Sequence, residues 1–353
     1  MHRSHYDIII VGQGISGTVL SSTLILQGQK VLVIDDGNIK AASKIASGVI
    51  NPVTGRRIVK TWQIDIVMPA AVRIYQALES KLGTSIVRQC NIVNFHASEQ
   101  MQNAFASRLA EDPTYLCNSP LANKVIAAFD APFGHGVIDP CWLINLENLL
   151  HHWRQYLIEK NAFLQDVFDF KKLDTQADLI TYDNYTTNKI IFCEGANGDN
   201  NPYFKQLPFA PNKGEALLVK IKDLDNQFIY KKTVSIVPWK DSTFWVGSNY
   251  EWNITNDDPS LAFKEKTIAA LNEWLKIPYE VVDHIAAIRP ANIQRRPFVG
   301  MHPSYKNIGI FNGMGTKGCS LAPYFAEQFV SHILHQTPIE IEANINRFNN
   351  LVP

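Results

Sequence analysis

Short uninterrupted apolar runs, separated by a glycine-rich break and a longer segment of mainly apolar and small residues, organise the beginning of the chain. Residues 6–11 form a β-rich apolar run, residues 12–17 break it with three glycines, and residues 15–27 continue with apolar and small side chains until Gly28. A second apolar run follows at 31–34. The pattern predicts a strand, a tight turn, a helix and a parallel strand, because a parallel pair needs a crossover connection that is usually a right-handed helix.

The same reading predicts helices over 70–81 and 99–109, and a longer helical segment over 141–160 after the breakers Gly134, Gly136 and Pro140. Residues 190–193 read as a buried strand that rejoins the first sheet. From 214 to 250 the pattern changes to β-rich runs at 216–221, 234–237 and 244–246, separated by charged or proline-containing turns. Such a run predicts an antiparallel sheet beside the first fold. A helix over 261–275, a strand over 308–312 and a helix over 319–334 complete the chain. In the last helix Leu321, Phe325, Phe329 and Ile333 recur every four residues along one face.

Composition narrows the class without deciding it. The chain has 353 residues, enough for two domains with separate cores, and 33 basic against 33 acidic residues, so no net field favours nucleic acid or an anionic membrane. No apolar stretch approaches the roughly 20 residues needed to span a bilayer, and the first apolar run is too short for a secretory signal. A cytoplasmic location is expected. The five cysteines, Cys90, Cys117, Cys141, Cys193 and Cys319, are widely spaced and read as small buried hydrophobes. No cluster has metal-binding spacing, and none is assigned to a metal.

The candidate chemistry begins at Gly12-Gln13-Gly14-Ile15-Ser16-Gly17, a GxGxxG between strand and helix. Gly12 permits the turn, Gly14 clears a path for a pyrophosphate, and Gly17 allows close packing of helix and strand. Backbone N–H groups at the helix start, including those of Ile15 and Ser16, face the phosphate charge. Asp35 ends the second strand eighteen residues after Gly17, where a carboxylate accepts from ribose hydroxyls and disfavours a 2′-phosphate. A second glycine-rich turn, Asn312-Gly313-Met314-Gly315-Thr316-Lys317-Gly318, again lies between strand and helix. One long cofactor bound from both ends of the chain accounts for this repetition, and the amides of the second turn suit a flavin pyrimidine carbonyl.

With these motifs in place, the chain resembles the D-amino acid oxidase superfamily, which includes glycine oxidase, monomeric sarcosine oxidase and the flavin domain of the bifunctional tRNA wobble-uridine modifying enzyme. The resemblance rests on YDIIIVGQGISG with Gly28 and Asp35, on Ala42-Ser43 and Ala46-Ser47-Gly48, on IIFCEGAN from Ile190, and on AAIRPANIQRRPFVG from Ala286. It implies an α/β FAD-binding Rossmann-like domain of the glutathione reductase type, interleaved with an α+β substrate domain built on an antiparallel sheet. The expected division gives 1–80, 135–210 and 284–353 to FAD, and 81–134 and 211–283 to substrate. The resemblance further implies that Ala42, Ser43, Ser47 and Gly48 pass the pyrophosphate, that the Val167 backbone meets adenine, and that Gly195 belongs to the third cofactor-binding turn. Arg289 falls on the arginine that grips a substrate carboxylate, a role suited to its fixed donor fork.

Several positions depart from the family pattern. Ser235 stands where the family carries a substrate-binding tyrosine, Trp239 replaces an arginine, and Trp245 replaces the lysine that promotes reaction of reduced flavin with oxygen. No cysteine lies in 288–298, near the site of covalent flavin attachment in sarcosine oxidases, so the expected FAD is non-covalent. Arg56 and Arg57 lie in a loop with small residues and are candidates for contact with an anionic substrate.

The resulting expectation is an FAD-dependent enzyme that oxidises the C–N bond of a small amine or amino acid by hydride transfer to flavin N5. Oxygen or another acceptor would take the electrons. Two alternatives stay open: removal of a carboxymethyl group from a modified tRNA nucleoside, and a non-enzymatic flavin-binding redox protein. His284 and His302 flank the arginine segment but have no second catalytic partner at a diagnostic spacing, and neither is assigned a catalytic role.

Overall fold

The structure, a computed structural model, describes residues 3–55, 57–175, 179–240 and 242–348. Its first sheet has eight strands. Five of them run parallel in the order Phe163–Gln165, Val31–Asp35, Ser4–Val11, Tyr185–Phe192 and Ile308–Asn312. The opening run is apolar at consecutive positions because both faces of the sheet are covered. Ile8 and Ile10 pack on one side with Val31 and Val33, whereas Ile9 and Val11 pack on the other with Leu32 and Ile34.

The helix Ile15–Leu26 crosses from the first strand to the second and is buried over most of its length. Its polar residues are satisfied locally: Ser22 Oγ donates to the Val19 carbonyl, and Ser21 Oγ accepts from Trp153 Nε1, each at 2.8 Å. The terminal helix Gly318–His335 packs beside it, with Leu321, Phe325 and Phe329 all in the core and Ile333 at its margin.

A second sheet of eight strands runs Glu280–Arg289, Asn212–Lys220, Thr243–Gly247, Ser235–Pro238, Ile229–Lys231, Ile92–Phe95, His135–Ile138 and Leu116–Cys117. All its pairings are antiparallel except that of Ile229–Lys231 with Ile92–Phe95. A separate core fills one face of this sheet, built around Phe95, Phe129, Tyr230, Phe244 and Trp274. The strands His135–Ile138 and Glu280–Arg289 belong wholly to the second sheet, although the boundaries read from sequence at 135 and 284 assign the first and half of the second to the nucleotide fold.

Two helices differ from the sequence reading. Within 141–160, Trp142–Ile144 forms a strand between Val49–Ile50 and Val87–Gln89, and the helix runs only over Leu146–Glu159. The Trp-Leu-Ile run favours a pleated surface, and Asn145 then caps the helix by accepting from Asn148 N–H at 3.0 Å. The helix expected from residue 70 begins at Ile64, with Pro69 inside it. There the proline forfeits one hydrogen bond without ending the helix.

Candidate active site

A cavity of about 610 Å³ runs between the two sheets, within the size range of cofactor and ligand sites. Gly12, Gly14, Ile15 and Ser16 line it from the first glycine turn, and Gly315, Thr316 and Gly318 from the second. The turns come from opposite ends of the chain and touch: a Cβ on Gly318 would lie 3.0 Å from the Ile15 side chain. Ala42, Ser43, Ser47 and Gly48 form a third wall, Asp35, Val167 and Gly195 line further parts of it, and Arg289 borders it from the second sheet.

Three expected residues act from behind this surface. Gly17 abuts the first turn so closely that a Cβ would fall 1.8 Å from the Gly12 carbonyl oxygen. Gly313, at φ +73°, packs against Phe298 and accepts from Asn292 Nδ2 at 2.9 Å. Lys317 is half-buried outside the cavity lining, and burial, followed by the like charges of Arg296 and Arg295, pulls its pKa down. Arg57 is exposed and outside the lining, while Arg56 lies outside the described residues.

The start of the helix at Ile15 has the chemistry of an anion cradle. It carries no acidic residue in its first turn and no side-chain cap. Ile15 N–H donates to Ser43 Oγ at 2.9 Å, and a Cβ on Gly14 would sit 3.1 Å from that same oxygen. The turn therefore has room for a group that only glycine leaves, beneath amides that favour negative charge.

Asp35 is more tightly engaged than its motif suggests. Its Oδ2 accepts from Gln13 N–H at 2.7 Å, and its Oδ1 from Gly37 N–H at 3.0 Å and from Arg154 Nη2 at 2.5 Å. Arg154 Nε also donates to Gln13 Oε1 at 2.7 Å. A carboxylate offers about four acceptor positions, which leaves room for one further donor.

Arg289 ends the outermost strand of the second sheet and pairs in register with Asn212. Its Nη1 donates to Asn212 Oδ1 at 2.8 Å and to the Asn249 carbonyl at 3.0 Å, and its Nη2 donates to Ser248 Oγ at 2.9 Å. The Tyr250 ring lies 4.9 Å from the guanidinium carbon. Gly214 gives the guanidinium its place, since a Cβ there would overlap Nη2. Among the described residues no carboxylate comes within ion-pair distance of Arg289. Burial lowers its pKa from the usual arginine value, with the neighbouring Tyr250 opposing the shift. Even so, a guanidinium stays protonated in proteins.

Behind Arg289 a second polar layer fixes the loop that cradles it. The fully buried Glu215 accepts from Ser260 N–H at 2.6 Å, Ser260 Oγ at 2.8 Å and Asn249 Nδ2 at 3.1 Å. His284 faces the same carboxylate at 3.1 Å and stacks on Phe263. His302 is buried, and its Nδ1 accepts from the Ser304 and Tyr305 amides at 3.1 Å each, which fits a neutral structural imidazole.

The sequence reading did not single out Asn212, Ser248, Asn249, Tyr250 or Glu194 as site residues, yet all five lie at or around this cavity. Glu194 alone gives a visible sequence signal, a charged residue directly after an apolar strand.

Comparison with known proteins agrees with this architecture. A family profile described as DAO, FAD dependent oxidoreductase, matches residues 7–331. The glycine oxidase structure from Geobacillus kaustophilus superposes with a TM-score of 0.79 at 15% identity, covering 96% of this chain and 97% of that one. Iminodiacetate oxidase from Chelativorans sp. BNC1 gives 0.75 at 16% identity, covering 95% and 97% respectively. L-Proline dehydrogenase from P. horikoshii gives 0.75 at 15% identity and covers 95% of each chain. At such identities the likeness to these structures is one of fold, matching the two-sheet arrangement and the expected fold class. With the family profile spanning nearly the whole chain, the protein belongs to the DAO family of FAD-dependent oxidoreductases.

Proposed function

We propose that the protein oxidises the C–N bond of a small amino acid or amine, with FAD held non-covalently in the cavity between the sheets. In this reading Gly12, Gly14, Ile15 and Ser16 would hold the diphosphate, Asp35 and Val167 would serve the adenosine half, and Ser47, Gly48 and the second glycine turn would border the flavin. When bound, FAD would supply the redox chemistry, as the acceptor of the hydride equivalent lost by the carbon that bears nitrogen. Two thiols border the cavity, and burial raises the pKa of both, Cys193 well above the ordinary range and Cys319 to about 12. Neither is poised as the thiolate that covalent attachment would use.

The single observation that carries the substrate assignment is Arg289. A guanidinium has five N–H donors, of which the protein engages three. The other two, with an uncompensated charge bordering the cavity, suit a substrate carboxylate. Asn212 and Asn249 hold Nη1 in place, so the fork is preorganised before substrate arrives. A substrate amine that enters neutral needs no side-chain base for proton removal. The named activities of the three structural relatives, on glycine, iminodiacetate and L-proline, are consistent with such a carboxylate-bearing amine.

The test is anaerobic bleaching of the bound flavin by a panel of glycine, sarcosine, D- and L-amino acids, proline derivatives, iminodiacetate and simple amines. Reduction by one or more carboxylate-bearing amines is expected. A yellow protein that none of them reduces would refute the assignment.

A further inference from the structure

Glu194 stands where the strand Tyr185–Phe192 delivers the chain to the cofactor cavity. Phe192 pairs with Val11, and Cys193 N–H donates to the Val11 carbonyl at 2.7 Å, so the next residue is set beside the first glycine turn. The Glu194 Cα lies 3.5 Å from where a Cβ on Gly12 would be. Glu194 lines the same cavity as Gly12 and Gly14, and its Oε2 accepts from Asn201 Nδ2 at 2.7 Å. An acidic residue bordering the cavity beside that turn is anomalous, since the turn is otherwise arranged to favour negative charge.

We propose that Glu194 is a ligand of the diphosphate and ribose region of FAD, and that binding of the dinucleotide takes up one proton from solvent onto its carboxyl group. The inference rests on placing FAD in this cavity. It goes beyond that placement by giving the site a linked proton.

The surroundings of Glu194 support the linkage. Burial pushes its carboxyl up to about 7, Asp199 on the same short helical turn adds to the shift, and the Asn201 hydrogen bond opposes it. No cation contributes to the balance. On the strand side the neighbouring titratable group is the Cys193 thiol, which burial keeps protonated. Across the first glycine turn the carboxylate is Asp35, already held by Arg154. A carboxyl raised to about 7 thus borders the cavity that, with FAD placed as proposed, would receive two phosphate charges. An ionised carboxylate would repel the diphosphate, whereas a protonated one can donate to a phosphate or ribose oxygen.

The experiment titrates apoprotein with FAD, following quenching of flavin fluorescence from pH 5.5 to 8.5. For wild type, Kd is expected to be flat at the acid end and to rise by up to about tenfold per pH unit above pH 7, the limit for one linked proton. Glu194→Gln keeps the shape, remains neutral and should hold the acid-side Kd throughout. Calorimetry in two buffers of different ionisation enthalpy should find close to one proton taken up per FAD at pH 8 by wild type and none by the variant. Zero uptake by wild type, or an unchanged pH profile in the variant, overturns the role of Glu194 and leaves the cavity reading intact. Failure to bind FAD at any pH overturns the cavity reading itself. Zero uptake in the wild-type calorimetry overturns the linkage even if the variant does not fold.

Discussion

Arg289 and Glu194 are opposite cases at the residue scale: a cation without a carboxylate partner and an acid without a cation. For Arg289, replacement by Lys keeps the charge but removes the two-pronged geometry. Loss of one charged hydrogen bond of roughly 1.5–3 kcal/mol predicts about a ten- to more than hundredfold fall in kcat/KM for a carboxylate substrate. The matched amide should lose far less, with flavin content measured in each sample. Equal losses on acid and amide would show that the substitution damages flavin placement instead. For Glu194, the folded pKa of about 7 exceeds the ordinary glutamate value of 4.5, so folding favours the protonated form. The apoprotein should therefore lose stability as pH rises from about 4.5 to 7, by an amount on the order of 3 kcal/mol in the limit. Glu194→Gln should flatten that part of a Tm-against-pH curve, and curves that stay parallel would contradict the shift. The Arg-Pro motif that singles out Arg289 in the sequence is local, and the structure sets that residue at the border of the cavity. Its cradle was not legible in the sequence, because Asn212, Ser248 and Asn249 reach it only through strand pairing and the loop after Gly247.

Among the elements, the strand, glycine turn and helix at the beginning of the chain were readable because each signal there is local: an apolar run, glycines at fixed offsets, then a second apolar run. The segment 141–160 was misread for the complementary reason. Whether Trp142–Ile144 pleats or coils depends on the edges offered by Val49–Ile50 and Val87–Gln89, which lie elsewhere in the sequence. The glycine turn also separates binding from folding. In Gly14→Val the new Cβ would meet only the rotatable Ser43 side chain, at 3.1 Å from its Oγ. The protein is expected to fold with a near-native Tm but to purify without FAD. Gly17→Ala sets a Cβ against the Gly12 backbone oxygen, which cannot move away cheaply, so it should lower Tm as well. Normal FAD content in a folded Gly14→Val protein would contradict the diphosphate placement.

The largest scale concerns how the two sheets share one cavity, and two contacts bear on it. Trp245, at the position where the family resemblance puts an oxygen-activating lysine, donates from Nε1 to the Ile45 carbonyl at 3.0 Å and so ties the second sheet to the short helix Ala42–Ile45 along the cavity wall. Without a fixed cation there, reduced flavin should react with an artificial acceptor at least about tenfold faster than with oxygen in stopped-flow mixing. Equal rates would argue that Lys317 or another group supplies the missing charge. At the rim, Lys40 from the first sheet's side bonds Asp257 at 2.9 Å and Asp258 at 2.8 Å, both on the segment after the Arg289 cradle. Lys40 and Asp257 also line the cavity. These are exposed pairs of long side chains, which contribute little to folding stability and are screened by salt. If FAD occupies the cavity as proposed, Lys40 and Asp257, which line it, would flank its departure. Lys40→Met is therefore expected to leave Tm nearly unchanged and to raise the FAD dissociation rate several-fold at low salt, measured by transfer of flavin to an excess of a second apoflavoprotein. Salt weakens the pair in wild type and has no pair to weaken in the variant. The two off-rates should thus converge near 1 M NaCl, where the screening length is only about 3 Å. A difference that persists at that salt would mean that Lys40 acts by packing or on the diphosphate, and a variant no faster than wild type at low salt would mean that the rim pairs do not retain the cofactor.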